Sequence, residues 1–167
     1  MEQLWAPWRH TYIAAAEPPT ASDPCFICQG LAGQEDRASL IVQRTPLSVV
    51  LLNRFPYNNG HLLVAPRSHK GQLDQLDAAE LLQTMQTVQQ MVRLLDRLMH
   101  PDGYNIGLNL GRDAGAGLPG HIHWHVVPRW QGDTNFMPVL SDTRVISQSL
   151  DALHELLVTN LRDEVTP

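Results

Sequence analysis

Short apolar runs at residues 40–44, 48–53 and 61–65 are separated by Thr45-Pro46 and by Phe55-Pro56-Tyr57-Asn58-Asn59-Gly60, a pattern that predicts a meander of antiparallel strands. The period then changes. Asp77 and Glu80 stand three apart in the form of a capping box, and Leu81, Met85, Val88, Val92, Leu95 and Met99 follow at helical spacing. This predicts one long amphipathic helix with that stripe turned to the core. Pro101-Asp102-Gly103 ends it, and residues 105–110 return to period two, with Ile106, Leu108 and Leu110 expected inward. A second helix is expected over about 149–161. The order strands, helix, strands, helix predicts an α+β fold with an antiparallel sheet.

The most informative stretch is 120–129, Gly-His-Ile-His-Trp-His-Val-Val-Pro-Arg. On a strand, successive side chains point to opposite faces, so His121, His123 and His125 share one face while Ile122, Trp124 and Val126 fill the other. Crowding titratable rings gives a fold nothing, because burial costs desolvation and the protonated rings repel. With 8 histidines in 167 residues, such alternation points to chemistry rather than to a solvated strand face. Imidazole is also the commonest metal ligand, so a three-histidine catalytic metal site is the rival reading at this point. Gly111-Arg-Asp-Ala-Gly-Ala-Gly-Leu-Pro-Gly120 leads into this segment, and a glycine-rich loop lets backbone amides approach an anion.

Composition narrows the setting. A chain of 167 residues fits one domain with a real core. Its net charge of -5 gives no electrostatic footprint for nucleic acid or an anionic membrane, so a phosphate would be held locally by aimed donors, with Arg112 and Arg129 as possible helpers. Neither a membrane-length apolar run nor a signal-peptide pattern is present, so a cytoplasmic location is expected. There Cys25 and Cys28, in Cys-Phe-Ile-Cys, read as a metal or redox pair rather than a structural disulfide. They follow Pro24 and a loop-like stretch, not the strand that precedes a thioredoxin-like pair. Residues 1–24 carry four prolines (Pro7, Pro18, Pro19 and Pro24) and read as an arm whose Trp5, Trp8 and Tyr12 pack on the domain or on a second subunit.

His121-Ile122-His123-Trp124-His125-Val126-Val127 resembles the signature of the histidine triad (HIT) family. The resemblance extends through Asn53-Arg-Phe-Pro56 and Gly60-His61-Leu-Leu-Val-Ala-Pro66-Arg-Ser-His69 and spans roughly residues 25–140. It implies a single HIT domain, with 1–24 as an arm, 25–140 as the core and 141–167 as a C-terminal helical segment. It also implies a homodimer and a nucleotide substrate containing AMP. In such a protein His123 is the nucleophile at an α-phosphorus. His125 binds the phosphate and assists the leaving group, and His61 holds His123 in the useful tautomer. Asn53 takes the ribose hydroxyls, Asn109 stands before the phosphate loop, and Gly115, Ala116, Gly117 and Leu118 supply donors to the phosphate.

The resemblance further implies a structural zinc on Cys25, Cys28, His69 and His121, a saturated Cys2His2 set with no open position. His10, His100 and His154 match no motif position and are expected at the surface. Where many triad hydrolases carry Gln and then Ser or Thr before the first histidine, this chain has Ala116-Gly117-Leu118. Together with Leu4-Trp-Ala-Pro-Trp-Arg9, this is similar to the bacterial branch that includes diadenosine tetraphosphate phosphorylases. His125, rather than Gln, sets the chain apart from the hexose-1-phosphate uridylyltransferase branch. The expected activity is cleavage of dinucleoside polyphosphates through a nucleotidyl-histidine. A nucleoside phosphoramidase, or a nucleotide-binding interaction protein with incidental turnover, are the alternatives.

Overall fold

The capping box forms as the sequence requires. Asp77 accepts from the Glu80 amide at 2.8 Å, and Glu80 accepts in return from the Asp77 amide at 3.0 Å. The computed structural model describes residues 24–136 and 145–163. Within them the chain forms α1 (Phe26–Ala32), β1 (Ile41–Arg44), β2 (Ser48–Leu52), β3 (Leu62–Pro66), a short 3-10 turn (Leu73–Gln75), α2 (Ala78–Met99), β4 (Gly103–Leu108), β5 (Trp124–Arg129) and α3 (Leu150–Asp163). The expected N-terminal arm, apart from Pro24, residues 137–140 of the expected core, and residues 141–144 and 164–167 of the expected C-terminal segment lie outside the described residues, as does His10.

The five strands form one antiparallel sheet in the order β1-β2-β3-β5-β4. The α+β class and the antiparallel sheet follow the sequence reading. Helices α2 and α3 cover one face, where Val50, Leu52, Leu62, Val64, Trp124 and Val126 meet Met91, Leu94, Leu95, Leu153 and Leu157. The other face holds a smaller cluster of Ile41, Val49, Leu51 and Ala65 beneath Ile27 of α1, and continues through Leu63 to its register partner His125.

Four expectations are corrected. Helix α1 is absent from the sequence reading; its seven residues span too few turns to show a period, and it starts immediately after Cys25, which is its N-cap. On α2 the buried line runs through Thr84, Thr87, Val88, Met91, Leu94 and Leu95, and Leu81 is 39% exposed because the stripe is rotated toward these positions. Ile106 on β4 and Leu110, two residues beyond its end, are 47% and 40% exposed; β4 is an edge strand with no neighbour on its far side among the described residues. His154 is buried rather than at the surface. Its Nε2 lies 2.7 Å from the Ile41 carbonyl oxygen, which ties α3 to the end strand of the sheet.

Candidate active site and metal cluster

Strand β5 begins at Trp124, so of the alternating histidines only His125 lies within the sheet, and His121 and His123 stand on its approach. The alternation persists, with Ile122, Trp124 and Val126 in the main core. In register, His125 pairs with Leu63 on one side and Gly107 on the other. His61, two residues before Leu63, is therefore a diagonal neighbour of His125.

That diagonal is a hydrogen bond. His61 Nε2 lies 2.9 Å from His125 Nδ1, and the Tyr57 amide donates to His61 Nδ1 at 3.0 Å. An amide can only donate, so in the neutral ring the His61 proton sits on Nε2 and is given to His125 Nδ1. The His125 proton is then on Nε2. His61 was expected to orient His123; it orients His125 instead. His123 is set by the backbone, its Nδ1 donating to the His121 carbonyl at 2.8 Å. This leaves the Nε2 lone pair of His123 without a partner among the described residues. The rings of His123 and His125 are 5.1 Å apart, so a nucleophilic nitrogen and an N–H donor stand side by side.

The site keeps these rings neutral. Burial, followed by the neighbouring His125 and His123, brings His61 down to about 3. Burial and His123 bring His125 to about 4, and burial lowers His123 as well. Neutral imidazole is the form that can attack phosphorus.

His121 turns the other way. Its Nε2 donates to the Pro66 carbonyl at 2.9 Å, which exposes the Nδ1 lone pair to Cys25 Sγ at 3.3 Å and Cys28 Sγ at 3.4 Å. Cys28 Sγ also lies 3.3 Å from His69 Nδ1. The ligand atoms of Cys25, Cys28, His69 and His121 fall within 4.8 Å of one another. A tetrahedral ion with bonds of about 2.1–2.3 Å has edges of roughly 3.4–3.8 Å, so the set fits a metal with small adjustments. Burial and the Cys25 thiol push the Cys28 thiol up to about 11, and a cation among these atoms would stabilise the thiolates. His69 is presented by a loop whose Ser68 hydroxyl and Lys70 ammonium both bond the Glu80 carboxylate.

The remaining candidates are more dispersed. The amides of Gly115 and Ala116 donate within the loop, to the carbonyls of Arg112 and Gly111, so two of the four expected phosphate donors are engaged. Asn109 Nδ2 bonds the Gly115 carbonyl at 3.3 Å and braces the loop. Asn53 Oδ1 accepts from the Phe55 amide, and its Nδ2 lies over His61, 3.3 and 3.4 Å from the two ring nitrogens. Beside them a slot of about 460 Å³ is lined by Phe26, Gly30, Leu51, Asn53, Phe55 and Leu63. It borders the active site through Leu63, the register partner of His125. Phe26 and Phe55 are 46% and 79% exposed. Phe55 and Leu63 lie within the stretches 53–56 and 60–69 that carry the family resemblance, though of the slot residues only Asn53 is singled out there; sequence reasoning missed Phe26, Gly30 and Leu51. An apolar residue inside Cys-x-x-Cys reads as filler until α1 is seen to lay it over the sheet.

Residues 34–132 match the HIT domain. The chain is 37% identical over 163 residues to the AP-4-A phosphorylase of Mycobacterium tuberculosis (strain ATCC 25618 / H37Rv), covering 95% of this chain and 84% of that protein. It is 33% identical over 95 residues, 57% of this chain and 52% of the relative, to the asymmetrical bis(5'-nucleosyl)-tetraphosphatase of Schizosaccharomyces pombe. Among solved structures, a Zn-bound histidine triad family protein from Mycobacterium smegmatis superposes with a TM-score of 0.62 at 27% identity, covering 76% of this chain and 86% of that one. The alternating histidines, the five-stranded sheet and these matches agree: the chain belongs to the HIT family.

Proposed function

We propose that this protein cleaves dinucleoside polyphosphates of the diadenosine tetraphosphate type at an α-phosphorus, through a nucleotidyl group carried on His123. The observation that carries this reading is the pairing of His123, protonated at Nδ1 and open at Nε2, with His125, protonated at Nε2 by way of His61. His123 Nε2 attacks phosphorus, an N–P bond forms, and the P–O bond to the leaving nucleotide breaks with its electron pair staying on oxygen. The His125 Nε2–H bonds to that oxygen. A terminal phosphate is acidic enough to depart as an anion with this single donor. The His121 carbonyl meets the positive charge that develops on His123 through Nδ1–H. An acceptor then attacks the phosphorus and returns the electron pair to Nε2.

The exposed rings of Phe26 and Phe55 on the slot suit the faces of a nucleobase, with Asn53 at its rim for the ribose. The Gly115 to Leu118 loop contributes its remaining amides, those of Gly117 and Leu118, to the phosphate oxygens. The relative matched across 95% of the chain is named a phosphorylase, which supports inorganic phosphate as the acceptor. Zinc on Cys25, Cys28, His69 and His121 would cross-link α1 to the histidine segment and supply no open coordination position. A homodimer joined at the β4 edge, where Ile106 is 47% exposed, and a cytoplasmic location belong to the same proposal.

The test is incubation with diadenosine tetraphosphate, with and without inorganic phosphate, and separation of the products by ion exchange. ADP and ATP formed only with phosphate are expected. AMP and ATP without it would make water the acceptor, and no products in either case would overturn the reading.

A further inference from the structure

A second cavity, of about 360 Å³, opens on the same sheet face, on the side of His125 away from the slot. It is lined by Tyr57, Asn105, Val127, Arg129, Asp133 and Thr134 among others. Its size falls in the range of small-molecule sites, about 300–1,000 Å³.

Sheet register places it. Val127 and Arg129 follow His125 on one face of β5, and Asn105 pairs with Val127 across the ladder to β4. Gly107 stands opposite His125, and a Cβ built there would meet nothing within 4 Å, so the β4 flank of the ring is open. Tyr57 joins cavity and catalytic group, its ring stacked 5.9 Å from that of His125. The slot with Phe26 and Phe55 borders Leu63, on the opposite flank of His125. A cleaved dinucleotide has two halves, and His125 is the group that faces the departing one.

We propose that this cavity holds the leaving nucleotide, with Arg129 against its phosphates. The inference rests on the proposed dinucleotide reaction. Arg129 donates to both oxygens of Asp133, at 2.6 and 2.9 Å, and to Asn105 Oδ1 at 2.7 Å. These bonds use three of the five guanidinium donors, and two remain for a phosphate oxygen. The Asp133 carboxylate also accepts from Asn58 Nδ2 and the Trp130 amide, so donors surround its charge and fix the guanidinium in place. The cavity thereby separates a dinucleoside polyphosphate from a substrate with a small leaving group, which has nothing to place there.

The experiment measures kcat/KM for diadenosine tetraphosphate and for adenosine 5′-phosphoramidate, whose leaving group is ammonia, in the unaltered protein, in Asn105→Trp and in Arg129→Gln. The first variant fills the cavity from an edge strand, and the second removes the cation. The ratio of the two kcat/KM values is expected to fall at least tenfold in both, through a raised KM for the dinucleotide. A variant that merely folds less well lowers both substrates together and leaves the ratio where it was. An unchanged ratio in both variants overturns the assignment of this cavity. Absence of diadenosine tetraphosphate turnover in the unaltered protein overturns the reaction itself, so the two failures are distinct.

Discussion

His61 Nε2 and His125 Nδ1 are 2.9 Å apart, and this bond decides which nitrogen of His125 carries its proton. His61→Ala leaves His125 free to adopt either tautomer. Diadenosine tetraphosphate cleavage is expected to fall about 10²-fold. The loss should shrink for nucleotide esters with more acidic leaving groups, which need the donor less. A plot of rate against leaving-group pKa for the variant and the unaltered protein checks this, and parallel lines would reduce His61 to a packing residue.

His123→Ala removes the attacking nitrogen while leaving the slot and cavity in place. Turnover is expected to fall roughly 10⁴-fold or more, the scale on which loss of a covalent nucleophile acts. Nucleotide binding should persist. Samples quenched in alkaline detergent, which preserves the acid-labile N–P bond, with substrate labelled at the α-phosphorus should show protein-bound label in the unaltered chain and none in the variant.

The pH dependence follows from the lowered histidines. His61 at about 3 and His125 at about 4 bind fewer protons in the folded chain than in the unfolded one, where a histidine titrates near 6.5. Between those values the unfolded state holds more protons, so stability rises with pH and is lost progressively as pH falls from about 6.5 toward 4. Catalysis should keep its neutral rings through that range, placing the acid limb of kcat/KM below pH 5. A limb at pH 6.5 would mean that the rings titrate as if exposed.

Much of this architecture is legible in the sequence, and the exceptions share a cause. The α2 boundaries follow from a local device, the capping box of Asp77 and Glu80 with an apolar period behind it. The partner of His61 does not, because it depends on which β3 residue faces which β5 residue. Leu63 opposite His125 is a fact of register, set by turn geometry and core packing across 62 residues of chain. The burial of His154 has the same origin, since its partner is a carbonyl on β1 and no local pattern names it. The Cys-His cluster became legible through family resemblance, not spacing, because His69 and His121 lie far from Cys25 in the chain.

Glu80→Gln tests how the metal loop is held. The carboxylate, brought to about 2 chiefly by its bonds from Lys70 and Ser68, is 7% exposed and anchors both neighbours of His69. The amide is expected to cost about 1–3 kcal/mol of stability in urea unfolding. It should also weaken metal retention against a chromogenic chelator. Retention equal to the unaltered protein would show that the loop keeps its shape without this anchor.

Metal removal gives a separate expectation. One zinc per chain should be released by denaturation in the presence of a zinc indicator, and Cys28→Ser should lower that stoichiometry together with the thermal midpoint. Activity should decline in step with unfolding after chelation, since the Cys2His2 set offers no site for substrate. Loss of turnover at saturating nucleotide in a chain that remains folded would instead assign the ion a part in the chemistry.

Helix α1 belongs to two sites at once. Cys25 caps it and Cys28 lies within it, both in the candidate metal cluster, while Phe26, Gln29 and Gly30 of the same short segment line the slot proposed for the nucleoside. An ion gripped at one end and a base seated along the other would each favour the docked position of these seven residues. Thermodynamic linkage then requires the preference to run both ways: whatever the ion adds to nucleotide affinity, the nucleotide adds to the ion's. On the proposed zinc and nucleotide sites, a chain that lost its zinc would first become a weaker nucleotide binder, before any change in its chemistry.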